Sequence, residues 1–158
     1  MTSCREALQS ISTRTAFISR YQAADIFLMS DTQRHEGGLP GLPKAIRVSV
    51  LAAQNKKASD VVVLDLRTAF AFTDFFVICS GLHPRQVKSI AESIEGQLRQ
   101  NGSKPAVIEG TERSEWILLD FFDFVVHVFT PDVREFYGLE QLWGDAERLE
   151  VDDSEMAE

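Results

Sequence analysis

Two cysteines in 158 residues, Cys4 and Cys79, cannot build a disulfide framework. No CxxC or His–Cys spacing accompanies them, so a zinc site has no support in the sequence and a reducing compartment fits. No apolar run approaches the roughly 20 residues of a membrane-spanning helix. The phosphate-cradling patterns GxGxxG and GxxxxGK[ST] are missing, and Ser80-Gly81 after a strand is only the beginning of such a turn. No GxSxG nucleophile elbow exists. Cations are also short, with 16 Lys and Arg against 24 Asp and Glu and a net charge of −8. Phosphates repel such a chain, which makes it a poor direct nucleic-acid binder. The same charge steers it toward a basic protein that coats nucleic acid.

The charge is unevenly spread. Residues 1–44 carry five basic and four acidic side chains, residues 45–139 ten and twelve, and residues 140–158 one and eight. A near-neutral domain with an acidic tail follows. Residues 1–43 form an N-terminal extension ending in the Gly/Pro linker 37–43. Within its first twenty residues, Leu8, Ile11, Thr15 and Ile18 fall near one helical face, among seven Ser/Thr, three Arg and one acid. That composition suits an organelle transit peptide, an ordinary N-terminal helix, or an extension from an upstream start codon with Met29 as the true start. Residues 44–144 are the domain, and 145–158 read as a disordered acidic tail.

Periodicity supplies the elements. Residues 44–58 read as a helix with Ile46, Val50 and Ala53 inward and Leu51 beside them. The runs 61–64 and 75–79 are continuous and β-branched or aromatic, as in strands buried on both faces. In the helix 84–100, His83 is the N-cap, Pro84 N1 and Gln86 N3, and Val87, Ile90, Ala91, Ile94 and Leu98 trace its apolar face. A short strand spans 104–109, and strands 116–121 and 124–129 form a hairpin. If Phe121-Phe122 is the turn, Asp120 faces Asp123, Leu118 faces Val125 and Trp116 faces His127. Residues 132–143 read as one helix, with Asp132 near its N-cap and Phe136, Leu139 and Trp143 on one face. The order predicts an α/β domain with a mixed sheet of about five strands flanked by helices.

Catalysis has little to work with. Asp120 and Asp123 are the best carboxylate pair, but their DxxD spacing spans a turn, whereas metal-dependent nucleotidyl transfer needs two acids converging on one cation. His127, in a strand beside Trp116, suits a packed, hydrogen-bonded histidine better than a base. Cys79 suits a small core residue. No cofactor, metal or catalytic residue is expected.

Binding is better supported. Trp116, Phe121, Phe122, Tyr137 and Trp143 fall within 116–143, interleaved with Glu115, Asp120, Asp123, Asp132, Glu135 and Glu140. Aromatics among acids suit a basic partner surface with an apolar centre. Phe124, Phe129 and Phe136 are expected in the core, and Phe122 at a turn tip is expected to be exposed.

The ordered set of motifs resembles the Iojap family, also called ribosomal silencing factor S. It comprises Asp60-Val-Val-Val-Leu-Asp-Leu, Thr73-Asp-Phe-Phe-Val-Ile-Cys-Ser-Gly81, Arg85-Gln-Val-Lys-Ser-Ile-Ala91, Trp116-Ile-Leu-Leu-Asp120, Asp123-Phe-Val-Val-His-Val-Phe129 and Arg134-Glu-Phe-Tyr-Gly-Leu-Glu-Gln-Leu-Trp143. Lys104-Pro105 and Glu109-Gly110 also fit, so the resemblance covers residues 44–144. It implies nucleotidyltransferase-like topology without the catalytic acids. It further implies binding to large-subunit ribosomal protein fourteen, blockage of subunit joining, repression of translation, and often a homodimer. Trp116, Asp120, Tyr137 and Glu140 carry over as partner-contacting positions, supported by His127 and Trp143. Phe122 stands where the family usually has glycine, and His83-Pro84 where serines are usual. The resemblance implies a cytoplasmic protein, or a mitochondrial or plastid one if residues 1–43 are a transit peptide. The alternatives are a large-subunit assembly factor and a metal-dependent nucleotidyltransferase.

Overall fold

The computed structural model describes residues 41–69 and 71–151. Cys4, His35, the N-terminal helical face, most of the Gly/Pro linker and the end of the acidic tail lie outside them. The described elements run α1 (Lys44–Asn55), β1 (Ser59–Asp65), β2 (Phe75–Ser80), α2 (Pro84–Gln100), β3 (Val107–Glu109), β4 (Trp116–Asp120), β5 (Phe124–Phe129), α3 (Pro131–Tyr137), α4 (Leu139–Leu142) and β6 (Glu147–Glu150). Six strands make one mixed sheet in the order β3-β4-β5-β2-β1-β6. Only β2 and β5 are parallel neighbours.

The unbroken apolar runs of β2 and β5 are buried along their full length, because the sheet is covered on both faces. On one face, α1 and α2 bury Ile46, Val50, Ile90 and Ile94 against Val63, Val77, Val126 and Val128. The α2 start matches the sequence: His83 Nδ1 accepts from the Gln86 N–H at 3.2 Å, with Pro84 in the first turn. The Gln86 side chain reaches one residue further back than a capping box requires and accepts from the Leu82 N–H at 2.8 Å. In α1, Leu51 is exposed and Ala52 is buried in its place.

The other face is built differently. Val62, Leu64, Phe76, Ile78, Leu118, Val125 and Phe129 are buried there, but the covering helices α3 and α4 have no fully buried residue of their own. The expected single helix over 132–143 is two short helices, because Gly138 adopts left-handed backbone (φ 52°) and ends the first. Thr130, not Asp132, is the N-cap, and Pro131 opens the helix rather than only closing the strand. The first helix packs on the sheet through Val133 and Tyr137, so Phe136 is 65% exposed instead of core.

Two further expectations are corrected. The sheet has a sixth strand: Glu147–Glu150, within the stretch read as a disordered acidic tail, pairs antiparallel with β1 and sets Leu149 opposite Val63. Pairing with β1 satisfies the backbone groups on its inner side, and Leu149 and Val151 pack on the core despite the surrounding charge. The hairpin turn is Phe122-Asp123, one residue later than expected. Asp120 therefore pairs with Val125, Leu118 with His127 and Trp116 with Phe129. This register differs from the expected one by two residues, so every side chain keeps its face while changing its partner. The third strand is also shorter than expected, 107–109, because Pro105 has no N–H for a ladder.

Candidate functional site

The register places several chain segments at one end of the sheet. Ser59 pairs with Ser80, Ser80 with Phe129, and Phe129 with Trp116. The end of α1, the start of α2, the start of β4 and the start of α3 therefore gather there.

At this end the thinly covered face is aromatic. Trp116 stacks on Phe129 (centroids 5.0 Å apart, 26° between planes) and packs against Tyr137 at 4.7 Å. The Trp116 indole N–H donates to His127 Nδ1 at 3.2 Å, which fixes that nitrogen as the acceptor. His127 is buried and meets Phe76 edge-on at 4.7 Å, and Phe76 meets Trp143 edge-on at 6.0 Å. Each such pair is worth about 0.5–1.5 kcal/mol beyond its buried area. Trp116, Tyr137 and Trp143 remain half-buried, while Phe136 and Leu142 (73% exposed) stand out beside them.

Gly110 makes the position of Trp116 possible. Its backbone is left-handed (φ 83°), and a Cβ built there would lie 1.8 Å from the Trp116 carbonyl oxygen. Only glycine permits that approach.

Beside the aromatics lies a polar network centred on Arg134. Its guanidinium donates to both Glu140 carboxylate oxygens (3.0 and 2.7 Å), to Ser80 Oγ (2.8 Å) and to the Asp60 carbonyl (2.8 Å). Arg148 of β6 reaches the same Glu140 carboxylate at 3.4 Å. The Arg134 hydrogen bonds hold Glu140 below the usual carboxylate range. These side chains line a pocket of about 350 Å³.

The expected site residues thus divide. Trp116, His127, Tyr137 and Trp143 form one cluster, and Glu140 adjoins it through Arg134. Asp120 lies four residues along β4, about 13 Å away, where its carboxylate accepts from the Phe122 N–H at 2.8 Å and caps the turn. Asp123 belongs to the turn itself, and its carbonyl accepts from the Asp74 N–H at 2.9 Å. Burial and the nearby Asp123 charge raise the pKa of Asp74. Among the described residues no group of acids, histidines or cysteines is arranged as a metal site. Cys79 is buried in the core, where desolvation pushes its thiol to about 12.

Sequence reasoning missed Arg134 and Arg148. Arg134 carried a signal, a lone cation amid acids six residues before Glu140 and across a glycine. Arg148 carried none without the sixth strand.

The family described as "Ribosomal silencing factor during starvation" matches residues 40–158. The ribosomal silencing factor RsfS of Bacillus subtilis is 38% identical over 107 residues, spanning 68% of this chain and 91% of that protein. The chloroplastic protein Iojap of Zea mays is 32% identical, spanning 94% of this chain and 72% of its own. A crystal structure of a Chromobacterium violaceum protein superposes with a TM-score of 0.62 at 34% identity, covering 64% of this chain and 84% of that one.

Proposed function

The chain belongs to the family of ribosomal silencing factors, and from that premise we propose how it silences: it binds large-subunit ribosomal protein fourteen on the joining face and keeps the small subunit away. No bond is made or broken. The work is steric, and it needs only a surface with enough affinity to compete.

The observation that carries this reading is the half-buried Trp116–Tyr137 pair on a thinly covered sheet face, flanked by exposed Phe136 and Leu142. Aromatic anchors beside protruding apolar side chains suit a protein partner. Glu135 is exposed at the edge of this surface and suits a basic ribosomal protein, while Glu140, held by Arg134 and Arg148, shapes the surface beside it. Asp120, at the far end of β4 and engaged in capping its own turn, drops out of the contact set. The Bacillus relative supports action on cytoplasmic ribosomes. The maize relative, named chloroplastic and aligned over 94% of this chain, supports the organelle alternative for residues 1–43.

The test is gradient sedimentation of the purified protein with isolated subunits. Co-migration with the large subunit and not the small one is the expected result. Protein left at the top of the gradient overturns the proposal.

A further inference from the structure

The net charge of −8 conceals a basic rim. Lys56 and Lys57 follow α1, and Arg85 and Lys88 lie in the first turns of α2; all four are exposed. Gln86 ties the two segments together, its side-chain amide donating to the Lys56 carbonyl at 3.2 Å and the Lys57 carbonyl at 3.1 Å. Lys57 holds left-handed backbone (φ 56°), which turns the chain sharply there before β1. None of the four cations forms an ion pair among the described residues, although Arg67, Arg99, Arg113, Arg134 and Arg148 all do. Asp60 and Glu92 flank the rim without pairing to it. Leu82, 75% exposed, projects from the same loop.

The rim's place matters as much as its charge. Lys56 and Lys57 precede β1, Leu82 to Lys88 follow β2, and the Ser59–Ser80–Phe129–Trp116 register puts both at the sheet end that bears the aromatic cluster. One side of that end is apolar and acid-edged; the other is basic and unpaired.

We propose that this rim contacts the phosphate backbone of ribosomal RNA next to the protein seated on the aromatic face. This rests on the large-subunit binding proposed above and extends it to a second, chemically distinct contact. Four unpaired cations suit phosphates. Cations that meet phosphates carry no base information, so the contact is independent of sequence. Leu82 at the rim adds apolar contact without specificity. An acidic chain that docks on a ribosome thereby avoids repulsion where it meets RNA, because its cations are concentrated at that edge.

The test uses the full chain and a variant carrying Lys56→Gln, Lys57→Gln, Arg85→Gln and Lys88→Gln. Binding to isolated large subunits is measured between 50 and 200 mM salt, with binding to purified ribosomal protein fourteen alongside. Loss of four phosphate contacts should weaken subunit binding about tenfold or more and lower the slope of log affinity against log salt by about 3. Affinity for the isolated ribosomal protein should not change. Ultraviolet crosslinking of the unaltered chain to subunits should join RNA to peptides carrying residues 56–57 or 85–88. Equal subunit binding by both proteins overturns the inference while leaving the proposed function standing. Crosslinks from these peptides to protein alone overturn RNA as the occupant. Failure of the unaltered chain to bind subunits overturns both.

Discussion

Trp116 donates its indole N–H to His127 Nδ1 at 3.2 Å, although its register partner across the hairpin is Phe129. The bond is diagonal, between adjacent strands on one sheet face, and it locks the indole over Phe129. A Trp116→Phe variant keeps a ring on Phe129 but removes the donor, leaving a buried acceptor unmade. It is expected to lose about 1–3 kcal/mol of stability. An unchanged denaturant midpoint would show that the bond contributes nothing.

Gly110 offers a sharper test of how Trp116 is held. With a Cβ only 1.8 Å from the Trp116 carbonyl oxygen and φ at 83°, Gly110→Ala forces the backbone apart. The expected cost exceeds about 2 kcal/mol. Partner binding should weaken as well, since the displaced strand start carries the aromatic anchor. A variant that melts like the unaltered protein would contradict the close approach.

Phe122 sits at the hairpin tip in left-handed backbone (φ 71°) and is 57% exposed. A bulky residue there costs about 1–2 kcal/mol, which glycine avoids. Phe122→Gly is therefore expected to hold or raise the melting temperature and to leave subunit binding unchanged, because the tip lies at the sheet end away from Trp116. A clear loss of binding would make Phe122 a contact residue.

Much of this was legible in the sequence because it depends on local pattern. The β-branched runs gave β1, β2 and β5, and the His83-Pro84 start with its apolar stripe gave α2 to the residue. The aromatic cluster was visible as Trp116, His127, Tyr137 and Trp143, and a two-residue register error left their shared face intact. What stayed hidden depends on contacts distant in sequence. The strand Glu147–Glu150 is mostly charged and is placed by the open edge of β1 and by the packing of Leu149 on the core. Phe136 is exposed because α3 turns Val133 and Tyr137 to the sheet, a choice that the apolar spacing of 132–143 does not reveal. That Asp120 caps its own turn is visible only once the turn is placed one residue later.

The Arg134–Glu140 pair gives a pH signature. Hydrogen bonds from Arg134 lower the Glu140 pKa in the fold, so the pair's contribution is present above the ordinary value of 4.5 and is lost as pH falls through the lower folded value. Glu140→Gln should melt below the unaltered protein at pH 6–7. The gap should close as the pH is taken down toward 3. A gap that stays constant with pH would remove the ion pair from the explanation.

Tyr137 gives the most direct test of silencing by the aromatic face, because it is half-exposed and packs on Trp116. Joined particles are counted as isolated subunits are mixed with increasing amounts of the protein or of a folded Tyr137→Ala variant. The expected result is that the unaltered chain reduces joining and the variant needs about tenfold more protein or greater for the same effect. Joining left unaffected by the unaltered chain, or blocked equally by both, would contradict silencing by that face.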